Sequence, residues 1–155
     1  MRVANLDFAA AAETLNAAGT LNRGSESLLG RLAGVYALLD AMPSEGPRLQ
    51  EPSRFTRLVA EVEERNPACG DFYRALGGTF DLARRYPLAS RYYRAAVERM
   101  PRDPAGYGVL GMTYMRLGEE IEAKRWLDEA FERDPVQVRV SNTLKVLDVL
   151  QDYAV

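Results

Sequence analysis

Histidine is absent from this 155-residue chain. That removes the commonest general base, the commonest metal ligand and every Ser-His or Cys-His nucleophile pair. Cysteine occurs once, at Cys69, so no internal disulfide can form and no Cys-rich zinc site can be assembled. Cys69 follows Pro67 closely, where a buried or semi-buried spacer is expected in place of a reactive thiol. Lysine is almost missing too: all but Lys124 and Lys145 of the 20 basic residues are arginine. With 22 acidic residues the net charge is −2, so there is no basic excess to displace counterions from nucleic acid. Long apolar runs are also lacking. The stretch Ala9–Ala12 lies between Asp7 and Glu13, which is too short and too polar for a signal peptide or a membrane span. The expectation is a cytoplasmic protein without cofactor or metal.

A strong internal repeat is present. Tyr73, Leu76, Gly77, Phe80, Ala89, Tyr93, Ala96 and Pro101 recur, 34 residues later, as Tyr107, Leu110, Gly111, Tyr114, Ala123, Leu127, Ala130 and Pro135. Within 104–137, Pro104 suits the first turn of a helix, and Tyr107, Leu110, Met112, Tyr114 and Leu117 give that helix its apolar residues. Gly118 marks a turn, and a second helix carrying Ile121, Ala123, Trp126, Leu127, Ala130 and Phe131 stops at Asp134–Pro135. Small residues at Gly111, Ala123 and Ala130 allow the two helices to approach closely. Residues 70–103 repeat the scheme, with Gly77 at the close approach and Tyr86–Pro87 at the turn.

The motif aromatic-x-x-Leu-Gly-x-x-aromatic, then Ala-x-x-x-aromatic or Leu, then Pro, resembles the tetratricopeptide repeat (TPR) family. The resemblance implies an all-α fold: a right-handed α-α superhelix of about eight antiparallel helices forming one domain over 1–155. Residues 5–22 would be an N-terminal capping helix. Residues 26–69 would be a degenerate repeat, with helices at Glu26–Asp40 and around Phe55, Val59 and Val62, and an inserted loop over 42–52 that holds three prolines and a glycine. Residues 70–103 and 104–137 are the two clear repeats, and 138–152 is a terminal helix. That helix has Leu144 and Leu147 for an inner side but also Val138, Val146, Val149 and Leu150 elsewhere. Two readings stay open: Val138 and Val146 fold back onto the last repeat, or a second copy or downstream domain covers them.

The family pattern also implies a binding groove lined by the first helix of each repeat. Carried across, it places Gly30, Arg31 and Gly34, then Asp71, Arg74, Gly78 and Asp81, then Ala105, Gly108, Met112, Met115 and Arg116 on the groove. Gly34, Gly78 and Met112 stand where a carboxylate clamp would have asparagine, so a clamp is not expected. A shallow floor opened by glycines and softened by methionines is expected instead. The glutamates at 61, 63 and 64, and at 119, 120 and 122, sit among arginines as surface ion pairs and not as a catalytic pair. Gly77–Gly78 lies within a helical pattern and is no phosphate loop.

The implied function is a protein-interaction scaffold that binds a peptide or helix of a protein partner, with no catalysis, no nucleic acid and no membrane. Two alternatives accompany it. The architecture resembles TPR-class chaperones of bacterial type III secretion translocators. The tail from Asn142 to Tyr153 resembles the stretch that joins TPR arrays to metallopeptidase-like domains in some bacterial proteins; its His-Glu-x-x-His is absent from this chain.

Overall fold

The computed structural model describes residues 8–22, 24–41, 53–136 and 138–152. Eight helices account for most of them, with no strand among the described residues: α1 (Phe8–Leu21), α2 (Glu26–Ala41), α3 (Arg54–Arg65), α4 (Gly70–Leu82), α5 (Tyr86–Arg99), α6 (Pro104–Arg116), α7 (Glu120–Arg133) and α8 (Val138–Asp152). The inserted loop expected over 42–52 lies outside the described residues. Consecutive helices pack against one another except at α3 and α4, where α2 packs on α4 instead.

The repeat motif becomes a packing rule. Leu76, Gly77, Ala89 and Ala96 of one unit, and Leu110, Gly111, Ala123 and Ala130 of the next, are all buried. A Cβ on Gly77 would lie 2.7 Å from Cδ1 of Tyr93, and one on Gly111 would lie 2.6 Å from Cγ of Leu127. The second helix of each unit thus sits where only a glycine leaves room. Tyr92 adds a continuous aromatic seam, with its ring stacked on Phe80 at 5.4 Å and on Tyr73 at 6.2 Å.

Helix ends follow local chemistry. Ser53 and Asp103 cap α3 and α6, their side chains accepting the backbone N–H of Thr56 and Ala105. The turns after α4 and α6 superimpose on the repeat. Arg85 N–H donates to the Phe80 carbonyl at 2.8 Å, and Glu119 N–H to the Tyr114 carbonyl at 3.0 Å. Each closure needs a left-handed residue: Gly118 at φ 75° in one, Arg84 at φ 59° in the other. The first turn is therefore Ala83–Arg85, and Tyr86–Pro87 opens α5, where proline fits the first turn. Gly19 lies within α1.

Glu63 departs from a plain surface ion pair. It accepts from Arg99 at 2.8 Å and from the Tyr73 hydroxyl, tying α3 to α5 and α4. Cys69 is buried at the start of α4, and burial raises its thiol pKa, leaving a poor nucleophile.

Candidate functional site

The first helices of the three units, α2, α4 and α6, present one stripe of residues that lines two depressions. The first, about 430 Å³, is walled by Leu15 from α1, by Ser27, Arg31 and Val35 from α2, and by Asp71, Arg74, Ala75, Gly78, Thr79 and Leu82 from α4. The second, about 240 Å³, is lined by Asp81, Ala105, Gly108, Val109, Met112 and Arg116, with Val140 from α8. The structure therefore brings Arg31, Arg74 and Gly78 together at one depression, and Asp81, Gly108, Met112 and Arg116 at the other.

Three of the expected groove residues lie elsewhere. Gly34, like Gly30, is buried in the contact between α2 and α4 and does not open the floor. A Cβ on Gly34 would stand 2.6 Å from Cβ of Thr79, and one on Gly30 would stand 2.3 Å from the Phe72 carbonyl oxygen. These glycines let two helices touch; they do not admit a ligand. Met115 lines neither depression and packs against the core. Gly78 is different. Its nearest neighbour for a Cβ is the Tyr93 hydroxyl, at an ordinary 3.6 Å, so the helix there faces open space.

The join between α4 and α6 is built from charge, in contrast to the glycine contact between α2 and α4. Arg74 donates to Asp103 at 2.7 Å and to Asp71 at 2.8 Å. At the other end of α4, Asp81 accepts from Arg116 at 2.7 and 2.9 Å, and the Tyr93 hydroxyl donates to it at 3.2 Å. Burial, reinforced by the Asp81 charge, raises the Tyr93 pKa, so this phenol stays protonated and remains a donor. The second depression lies between these two ionic rungs. Among the described residues no ion pair or hydrogen bond reaches Arg31, which is exposed.

The terminal helix closes the far side. Thr143 Oγ1 contacts the Met112 sulfur at 3.6 Å, while Val140, Leu144 and Leu147 are buried. Val146 is 55% exposed, so it does not fold back onto the last repeat; Val149 and Leu150 are exposed with it. The side chain of Val138 lies outside the description. Sequence reasoning missed Leu15, Val35, Leu82 and Val140. Leu15 and Val140 come from helices outside the matched repeats, where the 34-residue overlay carries no groove position.

Among the described residues no group of three or more Cys, Asp or Glu side chains is placed to hold a metal ion. No described helix is long and apolar enough to cross a membrane.

Eight helices among the described residues, glycine-mediated packing within the two matched units and a stripe across the first helices define the class: a tetratricopeptide-type helical-repeat fold. No protein-family model matches the chain. Hsp70-Hsp90 organizing protein 2 of Arabidopsis thaliana is 32% identical over 93 residues, which is 60% of this chain and 16% of that protein. Hsp70-Hsp90 organizing protein 1 of Glycine max is 26% identical over the same length. The chain thus spans 16% of the length of the curated relatives it matches. Two solved structures share the fold: MamA, with a TM-score of 0.57, 14% identity and coverage of 94% of this chain and 80% of its own; and the MamA RS-1 ArsTM double mutant, with a TM-score of 0.59, 17% identity and coverage of 95% and 77%.

Proposed function

We propose that this chain is a protein-interaction module, without catalysis of its own, that holds a peptide or helical segment of a partner along α2, α4 and α6. One observation carries the reading. The stripe that the helices leave free of packing lines two depressions, and its arginines at 74 and 116 are already held by acids of the chain. Groups locked in this way cost little further ordering when a ligand arrives, which favours binding. A site built for acid–base chemistry would instead hold a free titratable pair. The plant relatives are named as organizing proteins for Hsp70 and Hsp90, and holding a protein partner is a role of the same kind. A cytoplasmic setting is part of the proposal.

The test is capture of partners by the immobilised protein from a lysate of its own cells. Gly78→Leu combined with Ala105→Glu places one bulky and one charged side chain in the two depressions, at positions where the helices have room. Capture is expected to disappear while the helical circular dichroism spectrum is retained. Undiminished capture by that variant rules out the groove.

A further inference from the structure

The two depressions differ in charge, and the difference names a partner. In the second, Asp81 and Arg116 neutralise each other, leaving Val109, Met112 and Val140 as soft apolar contacts. In the first, Arg74 is matched by Asp71 and also by Asp103, while Arg31 has no partner among the described residues. Of the residues lining that first depression, two are cationic and one is anionic. Beside the free guanidinium stand Leu15, Val35 and Leu82, the last 82% exposed despite its size and its position on the groove. An unpaired cation next to unfilled apolar surface is complementary to an amphipathic segment with an acid beside its apolar stripe.

We propose that the trough built by α1, α2 and α4 is the acid-reading end of the groove, and that the partner presents an amphipathic helix. That helix lays aliphatic side chains on Leu15 and Leu82, over the buried Val35, and sets an Asp or Glu side chain against Arg31. The proposal rests on the reading of α2, α4 and α6 as a partner groove and adds the chemistry of the partner to it. A side-chain carboxylate is the chosen source because a chain terminus needs several converging donors. Among the described residues Arg31 alone of the trough's two guanidiniums has no partner, and the donors of Arg74 are taken by Asp71 and Asp103.

The experiment uses the full chain and three synthetic fluorescein-labelled helical peptides with amidated C-termini. All carry leucines at helical spacing, and they differ only in having Glu, Gln or Lys beside the stripe. Fluorescence anisotropy is expected to rank Glu over Gln over Lys, with Glu about tenfold tighter than Lys at low salt and the gap narrowing as salt rises. Arg31→Glu should invert the order, and Gly78→Leu should remove binding of all three. An order unchanged by Arg31→Glu overturns the acid-reading trough. If Gly78→Leu still abolishes binding in that case, the groove itself survives. Binding that persists in Gly78→Leu overturns both readings, and no binding of any peptide overturns the proposed occupant. A Lys peptide with a free C-terminus that binds as well as the Glu peptide overturns the choice of a side-chain acid.

Discussion

Two adjacent glycines in α4 make opposite predictions, and the contrast tests the packing of α4 on α5. At Gly77 an added methyl would stand 2.7, 2.9 and 3.1 Å from three ring carbons of Tyr93. That ring cannot easily give way. It is buried, its hydroxyl is held by Asp81, and Asp81 is held in turn by Arg116. Forcing a methyl into such a contact costs about 1–3 kcal/mol. Replacing a helical glycine by alanine returns about 0.5–1 kcal/mol, so Gly77→Ala should be destabilised by up to about 2.5 kcal/mol net. At Gly78 the nearest atom is the Tyr93 hydroxyl at 3.6 Å, an ordinary contact. Only the helix-propensity gain remains there, and Gly78→Ala should be stabilised by about 0.5–1 kcal/mol.

Urea unfolding followed by far-ultraviolet circular dichroism measures both variants against the parent. Midpoints should move in opposite directions with unchanged m-values. In thermal melts the two variants should lie about 2–12 °C apart, given about 2–4 °C per kcal/mol for a chain of this size. A Gly77→Ala stabilised as much as Gly78→Ala would mean that α4 and α5 are not packed in the register described. A destabilised Gly78→Ala would mean that something fills the trough at that position. A stabilised Gly78→Ala has a further consequence: a helix that keeps a glycine with no packing need for it is trading stability for an open floor.

Arg84 occupies the left-handed position that Gly118 occupies one repeat later, so Arg84→Gly should raise stability by about 0.5–1 kcal/mol in the same urea assay. Unchanged or lower stability would show that the Arg84 side chain makes a contribution exceeding its backbone strain. Burial raises the pKa of Tyr73 and Tyr93, aided by their bonds to Glu63 and Asp81. The folded state therefore favours the neutral phenols. Their contribution is full below the unfolded tyrosine value of about 10 and is lost as pH climbs from there through the folded values. Stability measured between neutral pH and strongly alkaline pH should fall above about pH 10, and Tyr93→Phe should flatten part of that fall. A fall of identical size in Tyr93→Phe would exclude this phenol as a source.

The sequence made the helices and their pairing legible because the repeat is a packing code. Gly77 with Tyr93, and Gly111 with Leu127, are each a vacancy and the side chain that fills it, so the spacing alone implies the contact. Which face remains free was also partly readable: Arg31, Arg74, Gly78, Asp81, Gly108, Met112 and Arg116 all line the depressions. Gly34 and Met115 were not legible, for a physical reason. The pattern states which residues face the partner helix within a unit, but the rotation of one unit on the next depends on side chains at their join. Gly30 and Gly34 let α2 sink onto α4, which moves the degenerate first unit inward and buries the positions a regular array would expose. Val140 was invisible because its counterpart 34 residues earlier, in α6, is Gly106, a buried residue and not a groove position.

That difference between joins bears on how the groove works. A glycine contact such as α2 on α4 is short-ranged and steep: small displacements meet backbone and Cβ atoms at once, so the join behaves as a rigid hinge plate. The α4–α6 join is spanned by Arg74–Asp103 and Asp81–Arg116, with a depression between them. Ion pairs about one-quarter to two-fifths exposed tolerate small changes of distance at modest cost, because solvent screens them. Of the two joins, the second is therefore the one at which the groove can widen or narrow around a ligand. On the proposed reading, the rigid first trough carries Arg31, whose charge would discriminate partners, and the softer second one carries methionine and valine, which would accommodate varied shapes. A groove divided in this way selects at one end and adapts at the other. That arrangement suits a class of segments sharing an acidic amphipathic face and differing in the residues beyond it.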